Sequence, residues 1–331
     1  MEPEKRAIHT RPRYWIAAIL GATALMIGAW QLDLPARWQP EPTVAIAVPA
    51  RPGVPPSIRL LPERIVEGTL LSVIVEGGEP AVQTAEGEFA GEPLHFHMQE
   101  DSALVALAAA PLDSVGSLEL HVRITHQDGS RHNERIAVNV DSGAYRLEQL
   151  SVAPQFGRPQ PPELQRRMAD EAARARAVST RSHDTPRMWE QPFVAPRESR
   201  ITSGFGHGRV FNGQVQSRHT GTDFAGAVGA PVRAPARGIV AIVDDFLLGG
   251  GVIYIDHGAG LVTAYLHLSA KDVAEGDVVE PGQIIGRVGA TGRVTGPHLH
   301  WIVRYGGHTV AGLSLLDLPP PELAPPGPAP D

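Results

Sequence analysis

Apolar and polar residues alternate with a period of two over much of the chain. Leu118, Leu120, Val122 and Ile124 are interleaved with Glu119, His121 and Arg123, and Ile136, Val138 and Val140 repeat the pattern beyond Asp128-Gly129. Alternation puts every apolar side chain on one face of a strand, and Asp-Gly marks a tight turn. The two runs therefore predict an antiparallel hairpin with one buried face. Shorter runs at Leu70, Val73 and Val75, and at Leu94, Phe96 and Met98, predict further strands. Residues 56–145 thus read as a small β-sandwich-like domain. His95 and His97 fall two apart in one of these runs. With no third ligand nearby, they read as a solvated strand face rather than a metal site.

A second strand-rich region spans 199–318. Gly204, Gly206, Gly208 and Gly213 mark loops, and apolar runs at 252–256, 262–268 and 301–303 predict strands without a long helical pattern between them. The expectation is a compact, mostly antiparallel β domain. Between the two regions, 146–198 reads as helix and linker. Pro161-Pro162-Glu163 suits a helix start, and Leu164, Met168, Ala172 and Ala175 form a narrow apolar stripe up to Ala177. Arg166, Arg167 and Arg174 read as that helix's solvated face. The overall class is mainly β.

The N-terminus follows a different pattern. Residues 14–30 contain no charge, Tyr14, Trp15 and Trp30 sit at the ends of the run, and Lys5, Arg6, Arg11 and Arg13 precede it. Seventeen residues is near the lower limit for a membrane-spanning helix. Leading basic residues predict a cytoplasmic N-terminus at 1–13 and export of the remainder. This favours a single-pass transmembrane signal-anchor at 14–34. A cleaved signal peptide is the alternative, although no small-x-small cleavage site follows. Residues 35–55 form a proline-rich spacer and 319–331 a proline-rich tail that reads as disordered.

Composition narrows the chemistry. The 331 residues suffice for two domains. A net charge of −7 without a basic stripe argues against nucleic acid as a partner. Cysteine is absent, which excludes disulfides and thiolate metal sites. Seven of the 14 histidines lie between 207 and 308. Among them, His219-x-x-x-Asp223 and His298-Leu-His300 combine imidazoles with a carboxylate, and three such ligands plus a water make a catalytic zinc site. His298 and His300 share a strand face, as do Tyr265 and His267, so the imidazoles can converge if the strands pair suitably. His257, His207 and His308 read as structural or exposed, Asp244 and Asp245 as an exposed loop pair, and Arg209 as a residue that shapes the groove.

These motifs, with Tyr265-Leu-His267-Leu, Thr295-Gly-Pro-His298-Leu-His300 and Gly229-Ala-Pro-Val232, resemble the signature of the lysostaphin/LytM-type zinc metallopeptidases, which cut the peptide part of peptidoglycan. The resemblance covers nearly all of 200–304. More loosely, the preceding strand-rich segment resembles the N-terminal domain of some cell-envelope members. The resemblance implies that His219, Asp223 and His300 bind one Zn2+, that His298 acts as base, and that His267 is a second catalytic histidine that orients or stabilises. It implies peptidoglycan as substrate, attachment to the inner membrane with the catalytic domain in the periplasm, and envelope regulatory proteins as candidate partners. A catalytically silent regulator that binds peptidoglycan or activates an amidase is the alternative function. A biotinyl- or lipoyl-type carrier is rejected: Lys271, the only lysine of the domain, lies before the hairpin at 276–286 and not at its tip.

Overall fold

The computed structural model describes residues 53–318, except 157–158, 191 and 214. The expected signal-anchor at 14–34, the N-terminal residues 1–13, the spacer up to residue 52 and the tail at 319–331 lie outside the described residues. Among the described residues no helix is long and apolar enough to cross a membrane.

The alternating runs form strands. Gly116–His126 and Arg131–Asp141 pair antiparallel, with Leu118 opposite Val138 and Leu120 opposite Ile136. They are the centre of a five-stranded sheet completed by Ile65–Val66, Val82–Phe89 and Glu92–Leu94. A four-stranded sheet packs against it, in the order Ser57–Leu61, Thr69–Glu76, Leu104–Ala110, His97–Met98. Leu71, Val73 and Val75 meet Leu120, Val122 and Ile124 in the core between the sheets.

Thr69–Glu76 and Leu104–Ala110 read as continuous apolar runs because both of their faces are covered. Leu71, Val73, Ala106 and Ala108 face the sandwich core, whereas Leu70 and Ala109 join the core of the C-terminal domain. Hydrogen bonds seal this contact. The Leu70 amide donates to Ser314 Oγ (3.0 Å), and the Ala311 amide donates to the Gly68 carbonyl (2.7 Å). The described residues accordingly cluster as one compact unit.

The short run containing His95 and His97 differs from expectation. Glu92–Leu94 and His97–Met98 belong to different sheets, so the two histidines do not share a strand face. The His95 ring stacks on His183, with the nitrogens 2.8 Å apart, and His97 hydrogen-bonds to Gln99. His308, expected to be solvated, hydrogen-bonds to the Ala90 carbonyl at 2.9 Å, in the same contact between the two strand-rich regions.

The C-terminal domain is built on an eight-stranded sheet. Its order is Ile201–Ser203, Thr222–Ala225, His298–Tyr305, Leu261–Leu268, Gly250–Gly258, Gly238–Phe246, Val278–Val279, with His308–Val310 also pairing with His298–Tyr305. One face buries Ile253, Ile255, Tyr265, Leu299, Trp301 and Val303. The other face is divided. At one end the helix Pro162–Arg181 lays Ala175 and Val178 on Tyr254, Val262, Ala264 and Ile302. Ala172 is exposed, and Glu171 takes its place on the contact side, accepting a hydrogen bond from the Leu247 amide (2.9 Å). Arg174, expected on the solvated face, is paired with Asp244 (2.6 Å). The opposite end of this face is left uncovered by the helix and carries the candidate site.

The segment 146–198 does more than link. Its Leu147–Leu150 strand runs parallel to Gly208–Phe211, which in turn pairs with Val215–Arg218. This three-stranded sheet forms one wall beside the uncovered end.

Candidate metal centre

Strand register places the first three side chains. Asp223 lies directly opposite His300, on Thr222–Ala225 and His298–Tyr305 respectively. Opposed residues in an antiparallel pair point to the same face, so the carboxylate and imidazole meet there. His298 is two residues before His300 and falls on this face as well. His219 enters from the loop after Val215–Arg218. The three donor atoms converge closely: His219 Nε2 is 3.0 Å from Asp223 Oδ1 and 3.0 Å from His300 Nδ1, and His300 Nδ1 is 2.7 Å from Asp223 Oδ1.

This donor set fits a divalent metal. Carbonyl oxygens can only accept, so the contact of His219 Nδ1 with the Gly204 carbonyl (2.5 Å) puts the proton on Nδ1 and leaves the Nε2 lone pair for the centre. Burial, followed by hydrogen bonding and attraction to Asp223 in the opposite sense, leaves the His300 pKa lowered to about 4, so this imidazole is neutral near pH 7. Burial alone would raise the pKa of Asp223. Hydrogen bonds and attraction from His219 and His300 outweigh it and hold the carboxylate far below its usual range. Two imidazoles and a carboxylate, nearly enclosed, suit Zn2+.

His267 reaches the site by a different route from the one its spacing suggests. Tyr265 and His267 do not share a face. Tyr265 is opposite Trp301 and fully buried on the core side, while Leu266 is opposite His300. At His267 the backbone has φ of +65°, a left-handed conformation uncommon outside glycine. It breaks the pleat and turns the imidazole back toward the site, with ring centroids 4.9 Å from His298 and 5.8 Å from His300. Such local strain is typical of functional positions. Burial, then repulsion from His300 and His298, lowers the His267 pKa to about 3.

Both flanking histidines have a defined tautomer. His298 Nδ1 donates to the Gly296 carbonyl and His267 Nδ1 to the Thr291 carbonyl, each at 2.8 Å. Each therefore presents Nε2 to the cleft as a proton acceptor. His298 Nε2 lies 3.6 Å from Asp223 Oδ1, beside the donor cluster. His267 can donate from Nε2 only after gaining a second proton.

These five residues line a cleft of about 390 Å³ with Leu266, Ile302, Phe211 and Arg293 among its other walls. Arg209 and Glu148 line it too. Arg209 Nη2 donates to Asp223 Oδ2 (2.7 Å) and Nε to Glu148 Oε2 (3.1 Å). Glu148 also accepts from His207 Nδ1 (2.9 Å), so His207 is neither an isolated loop residue nor a ligand. Sequence reasoning gave Glu148 no role. Its only signal is an acidic residue within the predicted linker, and nothing local connects it to His219, the nearest of the candidate ligands along the chain. His257 is structural, as expected, and donates from Nδ1 to the Arg237 carbonyl (2.8 Å).

Comparison with known proteins agrees with this geometry. Residues 217–311 match peptidase family M23. The DD-carboxypeptidase/endopeptidase Mpg of Neisseria meningitidis serogroup B is 43% identical over 125 residues, which are 38% of this chain and 29% of that relative. The peptidoglycan DD-endopeptidase ShyA of Vibrio cholerae serotype O1 is 45% identical over 123 residues, 36% of this chain and 28% of the relative. The matched region thus spans under a third of these curated relatives. A crystal structure of an M23 peptidase candidate from Pseudomonas aeruginosa covers 76% of this chain and 95% of its own, with 28% identity and a TM-score of 0.59. That similarity extends well beyond the matched stretch. The region from His219 to His300 falls within 217–311, so the whole candidate site lies in the stretch that is similar to peptidase family M23.

Proposed function

We propose that this chain is a zinc-dependent endopeptidase that hydrolyses peptide bonds in peptidoglycan stem peptides or cross-links, with the D,D cross-link as its target. The observation that carries this reading is the convergence of His219, Asp223, His300, His298 and His267 on the floor of one cleft in an M23 domain. The choice of bond rests on relatives described as peptidoglycan DD-endopeptidases.

When bound, Zn2+ supplies Lewis-acid polarisation of the scissile carbonyl and lowers the pKa of a water. The remaining work falls to the chain. His219 and His300 would each offer a ring nitrogen and Asp223 one carboxylate oxygen to the cation. His298 takes the proton of the attacking water at Nε2, its ring orientation held by the Gly296 carbonyl. His298 then passes that proton to the departing amine, while His267, its ring held by the Thr291 carbonyl, orients the groups beside it. Leu266 and Ile302 keep the adjoining sheet surface apolar and limit competing water.

The envelope location belongs to the same proposal. Residues 14–34 would anchor the chain in the inner membrane, with the catalytic domain in the periplasm and the spacer at 35–55 giving it reach to the wall. Regulatory envelope proteins are candidate partners. Nothing in the site favours a catalytically silent regulator, because no ligand or base position is replaced.

The test uses fragment 35–331 with quantified metal, incubated with intact peptidoglycan, and the products are identified by mass spectrometry. About one equivalent of zinc and new D,D-cleaved muropeptides are expected, with cleavage lost in His219→Ala and His298→Ala. A folded fragment that binds no zinc would overturn the reading.

A further inference from the structure

We propose that Glu148 and Arg209 are positioning residues that hold Asp223 in one-oxygen coordination, so that the segment preceding the M23 stretch completes the metal centre. This rests on the zinc reading above. Asp223 has two oxygens with separate surroundings. Oδ1 faces His219 Nε2 and His300 Nδ1, and Oδ2 receives Arg209 Nη2 at 2.7 Å. A carboxylate free to rotate can offer either oxygen, or both, to a cation. The guanidinium occupies Oδ2 and fixes the plane of the group, leaving Oδ1 for the metal.

Arg209 in turn needs an anchor. Its side chain is largely buried, and Arg293 is close enough for the two cations to repel. Glu148 supplies the counter-charge at 3.1 Å from Nε, and Ser203 Oγ accepts from Nη2 at 2.9 Å. The Ser203 hydroxyl donates to Glu148 (3.0 Å) and its oxygen lies 3.2 Å from His219 Nδ1. One carboxylate on Leu147–Leu150 thus braces the outer side of two of the three ligands. The pairing of that strand with Gly208–Phe211, with Glu148 opposite Arg209, holds the two in register. Glu148 lies outside residues 217–311, so the centre is built from more chain than the family match covers.

The test uses the full chain stripped of metal, with Arg209→Met, Arg209→Lys, Glu148→Gln and the double variant Glu148→Gln/Arg209→Met. Zinc affinity is measured by competition with a chromophoric chelator, and the visible spectrum of the Co2+-loaded protein reports ligand geometry. Loss of an outer-shell partner typically weakens metal binding about 10- to 100-fold. Arg209→Met should fall in that range with an altered Co2+ spectrum, Arg209→Lys should recover part of the affinity, and Glu148→Gln should show a smaller loss. If Glu148 acts through Arg209, the double variant will match Arg209→Met alone. Metal-free melting temperatures separate these effects from misfolding. A wild type that binds no zinc overturns the metal centre and this proposal together. A wild type that binds, with Arg209→Met unchanged in both affinity and spectrum, overturns the positioning role alone.

Discussion

Acid should unfold this protein partly through His257. Its ring is fully buried, and burial lowers its pKa from 6.5 to about 4. Nδ1 donates to the Arg237 carbonyl, so Nε2 must accept, and the Thr263 hydroxyl donates to it at 2.8 Å. Thr263 Oγ1 is itself 2.8 Å from the hydroxyl of buried Tyr265. The native state therefore keeps His257 neutral down to about pH 4, whereas the unfolded chain protonates it near 6.5. Between those values the unfolded state binds the extra proton, so stability is fully present above pH 6.5 and is lost as pH falls toward 4. One proton over that interval amounts to about 3 kcal/mol, a large share of the roughly 5–15 kcal/mol by which domains are stable. With a urea m-value of about 3 kcal/mol/M, the midpoint falls by about 1 M from this residue alone. Urea titrations at pH 7.5, 6, 5 and 4 on the metal-free wild type and on His257→Gln measure it by difference, since the contributions of the other buried histidines are common to both. The variant should be less stable at pH 7.5 but lose about 3 kcal/mol less on acidification. Parallel stability curves for the two proteins would refute the reasoning.

Three other outcomes are expected. Gly206 has φ of +84°, and a Cβ there would fall 2.3 Å from the Tyr145 ring, so Gly206→Ala should cost about 2 kcal/mol or more and lower the melting temperature; an unshifted melt would show that the loop relaxes freely. Arg293 stacks over Phe211 at 4.2 Å in the cleft wall, and no carboxylate among the described residues is paired with it, so it is available to a substrate carboxylate. Arg293→Met should raise KM about tenfold or more with kcat largely kept, the usual worth of a charge-assisted hydrogen bond, and steady-state kinetics on stem peptides with free and amidated carboxylates will show whether the effect follows that group. Chelating the metal should lower the melting temperature by about 5–10 °C relative to protein at roughly 100-fold Kd of free zinc, as read by calorimetry at both metal levels.

Much of the fold and the grouping of the candidate metal ligands could be read from the residues, for identifiable reasons. The Leu118 and Ile136 runs alternate because their sheet has one solvated face, and local pattern alone implies the hairpin. Thr69–Glu76 and Leu104–Ala110 hide their partner because a strand covered on both sides carries no alternation to show which face meets which layer. His219, Asp223 and His300 stand out by type and spacing, and the pairing of Asp223 with His300 supplies what spacing alone cannot. Spacing puts His267 on the same face as Tyr265, and the structure does not, because period-two reasoning presumes an unbroken pleat and φ of +65° interrupts it. Glu148 and Arg209 were illegible as a pair. An acidic and a basic residue 61 positions apart have no local signature, and only strand pairing makes them neighbours.

The two doubly covered strands also bear on what the backbone connection is for. Residues 153–155, between the wall strand and the long helix, are exposed. A protease nicking there would separate the chain into two polypeptides but not into two bodies. Leu70 and Ala109 would remain packed in the core that holds Trp301, and Glu148 would stay on the fragment opposite the one that carries Arg209. The fragments should co-elute under native conditions and part only in denaturant, with the metal centre's outer brace supplied by one piece to the other.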